Sequence, residues 1–182
     1  MATTKWAFDP THSELGFKIK HLMITNVSGA FKKFDVIVEI EGENFSTAQI
    51  EAKADMSSIY TSNEQRDVHL RNADFFEVEK YPELIFQSTR IEKVNHERFD
   101  LYGTLRMKGV TRPVKLDVEY SGITNDPWGN ERAGFTISGK IKRTDWGVSF
   151  NALTEAGGVV LSEEVKIHSE IQLIKVQESI AI

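Results

Sequence analysis

The sequence predicts an all-β fold of about eight antiparallel strands that form a single domain over residues 1–182. Apolar and polar residues alternate in one segment after another, which is typical of strands with one buried face and one wet face. Short connections rich in turn-forming residues join these segments, so neighbouring strands can pair antiparallel. Helical periodicity is confined to residues 61–82. Both a sandwich and an up-and-down barrel fit these observations, and a single helical crossing favours a barrel with a covered mouth.

The predicted strands are defined by the residues that share an inner face. Before the helical stretch, these residues are Leu15, Phe17, Ile19 and His21, then Phe31, Phe34, Val36, Val38 and Ile40, and then Ile50, Ala52, Ala54 and Met56. After it, they are Leu84, Phe86 and Ser88, then Phe99, Leu101, Gly103, Leu105 and Met107, then Val114, Leu116, Val118 and Tyr120, then Ala133, Phe135, Ile137, Gly139, Ile141 and Arg143, and finally Val165, Ile167, Ser169, Ile171 and Leu173. Residues 144–162 lack this alternation and are predicted to be irregular.

The helical stretch is predicted to start at a capping box of Thr61 and Glu64, in which each side chain bonds the other residue's amide. It is predicted to end before Pro82, because proline disfavours helical geometry at the preceding residue. The interpretation is a helix over about 62–73 and a second turn after it, which together form a helical segment at about 62–79 that caps the barrel. Its predicted buried face comprises Val68, Leu70, Ala73, Phe75 and Phe76.

The composition argues against several functional classes. A formal net charge of -5 and a pI of 5.6 oppose nucleic-acid binding, which needs a concentrated basic face. The absence of cysteine excludes disulfides and thiol chemistry. No apolar run approaches the roughly 18 residues of a membrane-spanning helix. The N-terminus as given lacks a secretion signal, which predicts a cytoplasmic protein, and a periplasmic protein is the alternative if a signal was removed.

The common catalytic and metal-binding motifs are also missing. The chain has no G-x-S-x-G elbow, no phosphate loop and no dinucleotide fingerprint. None of its five histidines forms a pair at the i, i+4 spacing of a helical metal site. We therefore predict no catalytic residue, no metal site and no cofactor.

Small residues on the predicted inner face point to a cavity. Ala52, Ala54, Gly103, Ala133 and Gly139 occupy positions where a filled core usually holds valine, isoleucine or leucine. An eight-stranded barrel is just wide enough to be filled by large side chains or to hold one slender ligand. The alternative is that phenylalanines from opposite strands fill these gaps, and the chain has 11 of them.

Two polar residues, His21 and Arg143, fall on the predicted apolar face. A buried charge is costly unless it is paired. One interpretation is that these side chains orient a ligand headgroup at the mouth of the cavity. The other is structural, with Arg143 paired to a nearby aspartate and His21 bonded to a backbone carbonyl. Arg66 and His69 in the helical stretch allow the same two interpretations, as headgroup contacts or as an anchor to the rim.

Several segments, in this order and spacing, resemble the YceI-like family. They are DPTHSELGFKIKH at 9–21, GAF at 29–31, Thr61 with RDVHL at 66–70, DFF at 74–76, YPELIFQS at 81–88, GTLRMKGVTRPV at 103–114 and RTDWG at 143–147. The resemblance implies an eight-stranded antiparallel, lipocalin-like barrel with an elongated apolar cavity. It also implies binding of polyisoprenoid, quinone-like, or fatty acid or amide chains, commonly by a homodimer, and it implies no catalytic activity.

The ligand contacts predicted on this basis fall into two groups. The apolar cavity residues are Phe17, Ile19, Phe31, Phe34, Leu70, Phe75, Phe76, Phe86, Leu105, Phe135, Trp146 and Phe150. The headgroup candidates are His21, Arg66, His69 and Arg143. The leading hypothesis is a non-enzymatic carrier of a long amphipathic lipid. The alternatives are an enzyme that acts on a bound lipid, with His21 or His69 as general base and Arg143 as electrostatic stabiliser, and a packed stress-response barrel without ligand.

Overall fold

The computed structural model describes residues 3–22, 24–151 and 160–176, which form one β-barrel. Its strands are β1 (Thr3–Phe8), β2 (Glu14–His21), β3 (Thr25–Phe31), β4 (Phe34–Glu41), β5 (Asn44–Asp55), β6 (Ile59–Tyr60), β7 (Glu83–Lys93), β8 (Arg98–Met107), β9 (Val110–Asn125), β10 (Glu131–Lys142) and β11 (Leu161–Lys175). One α-helix, α1, spans Glu64–Arg71, and short 3-10 turns lie at Pro10–His12, Met56–Ser58 and Arg143–Trp146.

Eight antiparallel strands close the barrel, as predicted. The hydrogen-bonded order is β1, β4, β5, β7, β8, β9, β10 and β11, and β11 pairs back with β1. Strand β11 is long enough to pair with two partners on the same edge: its C-terminal part pairs with β1 at Leu173 and Phe8, and its N-terminal part pairs with β2 at Ile167 and Phe17. The alternation of apolar residues therefore belongs to a barrel and not to a sandwich.

At three places in the chain, a short interruption divides one long run of extended chain into two strands. The 3-10 turn at Pro10–His12 separates β1 from β2, Lys32 and Lys33 separate β3 from β4, and the turn at Met56–Ser58 separates β5 from β6. The N-terminal part of β11 pairs with β2, β2 pairs with β3, and β3 pairs with β6, so these three strands continue the sheet at one end of the barrel. In the part of the chain that the structure describes, β6 pairs with β3 and not with β7. The connection over residues 61–82, which carries α1, lies at this interruption.

The helical segment is shorter than predicted, and its start differs. Asn63, not Thr61, is the N-cap of α1: its Oδ1 accepts a hydrogen bond from the Arg66 amide at 3.0 Å. The amide and hydroxyl of Thr61 instead donate to the carboxylate of Asp67, which is buried. The predicted capping box of Thr61 with Glu64 is therefore wrong. After Arg71 the chain continues in turns at 73–76 and 78–80.

The buried face of this segment also differs from the prediction. Val68 is 53% exposed and Ala73 is exposed, whereas Leu70, Phe75 and Phe76 pack on the core. The reason is that Asp67 faces inward to bond Thr61, which turns the next residue, Val68, toward solvent. The helix itself therefore contributes little apolar burial, and the turns after it contribute the phenylalanines.

The small inner-face residues are mostly covered by neighbouring side chains. A Cβ atom on Gly103 would lie 2.6 Å from the ring of Phe86, and one on Gly139 would lie 2.7 Å from a methyl group of Leu116. Ala54 and Ala133 are fully buried. Side chains from neighbouring strands thus cover Gly103 and Gly139, and these side chains, Phe86 and Leu116, line the cavity in their place.

Irregular structure was predicted for residues 144–162. In that range the structure has the 3-10 turn at Arg143–Trp146 and a segment without regular secondary structure up to Asn151, β11 begins at Leu161, and residues 152–159 lie outside the described part of the chain.

Candidate ligand-binding cavity

An apolar cavity of about 660 Å³ runs inside the barrel. This volume falls within the range of small-molecule sites, which is roughly 300–1,000 Å³. Each barrel position contributes inward-facing side chains to it, for example Ile167 from β11 and Leu116 from β9. The alternation identified in the sequence therefore marks the residues that face the cavity.

Most of the predicted apolar contacts line this cavity. Those that do are Phe17, Ile19, Phe31, Leu70, Phe75, Phe76, Phe86, Leu105, Phe135 and Phe150. Phe34 and Trp146 do not belong to the lining. Phe34 packs its ring against Phe8, with centroids 5.1 Å apart. Trp146 is 2% exposed, and its indole Nε1 donates to the Leu105 carbonyl at 2.9 Å, so this side chain is hydrogen-bonded to the backbone of β8.

One end of the cavity is closed by an aromatic floor. We define this floor by Trp6, Phe45, Phe99, Tyr120 and Phe135, whose rings contact one another at centroid distances of 5.2 to 6.3 Å. Three of these rings, Phe45, Phe99 and Phe135, also line the cavity. A ligand chain that enters the barrel therefore meets stacked rings at this end.

An ionic network lies at the same end as the floor and ties three parts of the chain together. Arg132 of β10 donates to Asp9 at 2.6 Å and to Asp126 at 2.8 Å, and His12 contacts Asp9 at 2.7 Å. Burial by itself raises the pKa of Asp9, but the hydrogen bonds from His12, Arg132 and Thr11 outweigh it and hold that pKa well below its usual range. Both aspartates are therefore ionised at neutral pH.

The pKa values of the other two members of this network agree with that description. Burial again opposes ionisation of Asp126, and the hydrogen bonds from Arg132 and Asn130 lower its pKa to about 2. The hydrogen bonds to Asp126 and Asp9 raise the pKa of Arg132. The network fastens the start of β10 and the turn before it to the chain that follows β1.

At the opposite end, three rings form a cluster at the mouth of the cavity. The imidazole of His69 lies edge-on to Phe75 and to Phe150, with centroids 5.0 Å apart in each case, and the two phenylalanines are 5.2 Å apart. The His69 Nε2 also bonds Asp74 at 2.8 Å. Phe150 is 37% exposed. The helical segment thus reaches the mouth through His69 and Phe75, which is the position predicted for a cap.

Arg143 lines the mouth and holds the neighbouring loop in place. Its Nε donates to the Ser162 carbonyl at 3.0 Å, and its Nη1 donates to the carbonyls of Val148 and Phe150, each at 2.8 Å. Burial lowers the pKa of Arg143, and the charge of Glu163 partly opposes this. The predicted ion pair with an aspartate does not form. Backbone carbonyls take its place, and Nη2 makes no bond to any residue described.

The other two headgroup candidates also line the cavity at this end. His21 is half-buried and pairs across the sheet with Leu161. Arg66 is exposed, and its guanidinium donates to the hydroxyl of Thr61 at 2.7 Å and to the Thr61 carbonyl. The structure therefore brings His21, Arg66, His69 and Arg143 to one mouth, although α1 and the strands contribute them from distant parts of the sequence.

Two parts of the site were missed by sequence reasoning. Ala48 and Ile50 of β5 line the cavity, and strict alternation from them would turn Phe45 to the outer face. Phe45 nevertheless lines the cavity, because the pairing of β4 with β5 shifts at a bulge between Glu39 and Glu41. The aspartate and arginine of the ionic network lie 123 positions apart, and no local pattern marks them as partners. A phenylalanine directly after a tight turn is the one sequence signal that could have drawn attention to the floor.

The described residues show neither a cluster of metal ligands nor a helix that could span a membrane. Among the described residues, no group of three or more His, Asp or Glu side chains converges to hold a metal ion. The single α-helix of the described ranges is too short and too polar to cross a membrane.

Comparison with known families places the chain clearly. The family model of the YceI-like domain matches residues 6–173. The chain belongs to the YceI-like family. Among curated members, an UPF0312 protein of Staphylococcus aureus is 37% identical over 170 residues, which covers 93% of this chain and 96% of that protein. The resemblance predicted from the motif segments is therefore confirmed.

Solved structures share the fold of this YceI-like chain. The YCEI protein of Campylobacter jejuni is 31% identical, with a TM-score of 0.75 over 87% of this chain and 90% of that one. BcnA of Burkholderia cenocepacia is 21% identical with a TM-score of 0.78, over 91% of this chain and 98% of its own. A domain of Saccharophagus degradans, described as polyisoprenoid-binding, is 18% identical with a TM-score of 0.67 and covers 94% and 98% of the two chains. The last two likenesses concern the fold alone.

Proposed function

We propose that this protein binds a long-chain amphipathic lipid inside the barrel, without catalysing a reaction on it. The observation that carries the proposal is the cavity itself: it is apolar along its length, closed at one end by the aromatic floor and bordered at the other by polar side chains. Burial of apolar surface contributes roughly 25 cal/mol per Å², from which the cost of ordering the chain is subtracted. Such a site suits a slender hydrocarbon or prenyl chain.

The two ends of the cavity support one orientation of the ligand, with its hydrocarbon end at the floor and its headgroup at the mouth. The hydrocarbon end lies against Phe135 and Phe45 at the floor, where no charged side chain belongs to the lining. The headgroup lies at the mouth, near the ring of His21, the guanidinium of Arg66 and the Nη2 of Arg143, which bonds none of the described residues. An anionic or hydrogen-bond-accepting headgroup fits this set, because two of the three side chains are permanent cations.

The polyisoprenoid-binding description of the Saccharophagus degradans domain supports a prenyl chain as one candidate ligand, and fatty acids, fatty amides and quinone-like lipids are the others. Transport or storage is the role we propose for the bound state. Assembly as a homodimer, in the cytoplasm or the periplasm, stays a prediction from the resemblance and the sequence.

The enzyme alternative has less support from the geometry. His69 is engaged with Asp74, and Arg143 is engaged with three backbone carbonyls. Within the described ranges, no cavity-lining serine or threonine hydroxyl is hydrogen-bonded to a histidine, as activation of a nucleophile would require. Turnover of a lipid ester or quinone that disappears in His21→Ala would favour the enzyme.

The direct test is to purify the protein from cells, extract it with organic solvent and analyse the extract by mass spectrometry. We expect a long-chain lipid in stoichiometric amount. Absence of lipid, together with failure to take up both a prenyl alcohol and a fatty acid in titrations, contradicts the proposal and favours a packed barrel without ligand.

A matched pair of substitutions separates the cavity from the outer surface. Ala52 lines the cavity, and the next residue on β5, Lys53, is exposed on the outside. We expect Ala52→Trp to fill part of the cavity and to lower lipid uptake at least tenfold, whereas Lys53→Trp leaves uptake unchanged. Equal uptake by both variants in a fluorescent fatty-acid titration contradicts a ligand inside the barrel.

A further inference from the structure

A single polar side chain lies deep in the apolar part of the cavity. Ser169 of β11 belongs to the lining and is 2% exposed, and its hydroxyl has no hydrogen-bond partner in the described structure. The other buried side-chain atom without a partner, Nε1 of Trp6, is outside the lining. Among the described residues that line the cavity, Ser169 is thus the one with a buried side-chain polar atom that lacks a partner.

The neighbours of Ser169 explain why the protein leaves its hydroxyl unpaired. Across the sheet it stands beside Leu15 of β2 and Ile137 of β10, and along its own strand the next inward-facing residues are Ile167 and Ile171. All four are hydrocarbon side chains, and the backbone groups of β11 are used in pairing with β2 and β10. Burying a hydroxyl without a partner is unfavourable, so the position costs stability when the cavity is empty.

A buried water molecule is a poor substitute partner at this position. Ordered internal waters are held by two to four polar groups of the protein, and genuinely apolar cavities stay dry. Ser169 offers one such group, and the four side chains around it offer none. A partner brought in by the ligand itself resolves the imbalance.

The position of Ser169 relative to the mouth defines where that partner must lie. His21 pairs with Leu161 at the mouth, and Leu15, further along β2, pairs with Ser169. Between His21 and Leu15 the strand advances about 20 Å. The hydroxyl is therefore far from the headgroup candidates and nearer the floor end, at the depth of Leu15 and Ile137.

We propose that Ser169 is a second polar contact for the ligand, and that the lipid bound here carries an oxygen-bearing group, such as a hydroxyl, carbonyl or ether, in its buried chain. This inference rests on the proposed function and adds the class of lipid: an oxygenated chain is preferred over a plain hydrocarbon tail. A serine hydroxyl both donates and accepts, so it pairs with any of these groups.

The test compares stearic acid with positional isomers of hydroxystearic acid, in which the hydroxyl moves from mid-chain toward the methyl end. We expect the wild-type protein to bind one isomer about three- to tenfold more tightly than the isomers with the hydroxyl elsewhere, which is the range that one net hydrogen bond supplies. Ser169→Ala removes this preference, so that the variant binds all isomers with equal affinity. Ser169→Thr, which keeps the hydroxyl, retains the preference.

Ser138→Ala is the matched control, because Ser138 is an exposed residue on the neighbouring strand β10. If the inference holds, Ser138→Ala keeps the wild-type preference. The urea midpoint of Ser169→Ala should equal or exceed that of the wild type, because this variant removes a buried hydroxyl that has no partner among the described residues. Equal binding of all isomers by the wild type, or a preference that survives in Ser169→Ala, overturns the role of Ser169 and leaves the lipid-binding proposal standing. No binding of any probe, prenyl alcohol included, overturns both.

Discussion

The two ends of the barrel are built from different interactions, although the same strands run between them. At the floor end, β1 joins β4 to β11 and completes the ring of hydrogen-bonded strands, the aromatic side chains pack against one another, and the ionic network of Asp9, Arg132 and Asp126 crosses three segments. At the mouth end, β6 has two residues and one strand partner in the described structure, and its neighbour in the chain is a helix of eight residues.

We expect the floor end to contribute most of the stability of the fold and the mouth end to allow uptake and release of the ligand. At the floor, ring packing and the ionic network join residues distant in sequence, so we expect this end to open at a higher free energy than the mouth. The mouth is held by single contacts, such as the ring of Phe150 against His69 and the bonds of Arg143 to backbone carbonyls. Regions with fewer buried contacts open at lower free energy, which is what a site that takes up and releases a ligand needs.

The largest test of this comparison is Phe45→Ala in the floor. The substitution removes a ring that packs on Trp6 and on Phe135. We expect it to lower the free energy of unfolding by about 3 kcal/mol, because truncation of a buried phenylalanine costs about 3 to 5 kcal/mol. The control is Tyr60→Ala, at a residue that is 42% exposed, and its cost should stay below about 1 kcal/mol.

Urea denaturation measures the stability change of Phe45→Ala, and mass spectrometry of the extracted lipid measures its effect on the cavity. The space left by the ring lengthens the cavity at the floor, so longer chains should be enriched. A stability equal to that of the wild type would show that this end does not carry the stability of the fold.

The next effect is on acid stability and depends on the ionic network. Asp9 and Asp126 have pKa values below those of an unfolded aspartate, which is about 3.9. Their contribution is therefore fully present above that value and is lost as the pH falls through their folded pKa values, near 2 for Asp126 and lower for Asp9. Arg132→Met should lower the urea midpoint at pH 7 and reduce its loss on acidification.

Arg90→Met is the control for that substitution, because Arg90 forms an exposed pair with Glu92 on the outer surface. Exposed pairs contribute little to stability, so its denaturation curves at pH 7 and in acid should follow those of the wild type. If Arg132→Met keeps the full acid loss of the wild type, the network does not set the stability of the floor end in acid.

The smallest effect on stability is expected at the mouth, from Phe150→Ala. The side chain is 37% exposed, so we expect a change in the free energy of unfolding of less than about 1 kcal/mol. Lipid release should nevertheless be faster, because the ring cluster with His69 and Phe75 loses a member. Stopped-flow transfer of a fluorescent fatty acid to vesicles measures this rate. Trp128→Ala, at a 78% exposed residue in the turn that holds Asp126, is the control, and equal release rates for the two variants would contradict a role for the mouth rings.

The sequence predicted the strands and the lining well because each depends on local alternation. Phe17 and Ile19, for example, face the cavity for the same reason that Lys18 and Lys20 do not: successive side chains of a strand point to opposite faces. The prediction of the helix start was wrong, because a tertiary hydrogen bond replaced the local one that the sequence pattern predicts. Thr61 has the sequence of a capping box, but its hydroxyl bonds the inward-facing Asp67, and Asn63 caps the helix instead.

The predicted cavity is present, but only some of the small residues that predicted it line it. Ala52 lines the cavity as expected, but Gly103 is covered by Phe86 and Gly139 by Leu116. Trp146, which was predicted to line the cavity, instead donates its indole N–H to the Leu105 carbonyl. Residue type indicates that a side chain is buried, and packing against other strands decides what it is buried against.

The sequence by itself determined the inner face of each predicted strand, and with it an interior made mostly of hydrocarbon side chains that includes Ser88 and Ser169. Only the tertiary structure decided that β11 closes the ring against β1, that one end is blocked by the floor, that Arg143 bonds carbonyls and that the hydroxyl of Ser169 lacks a partner among the described residues. The physical reason is the range of the interactions. Alternation is set by the geometry of one strand, whereas closure, packing and hydrogen-bond partners depend on the register of strands that are distant along the chain.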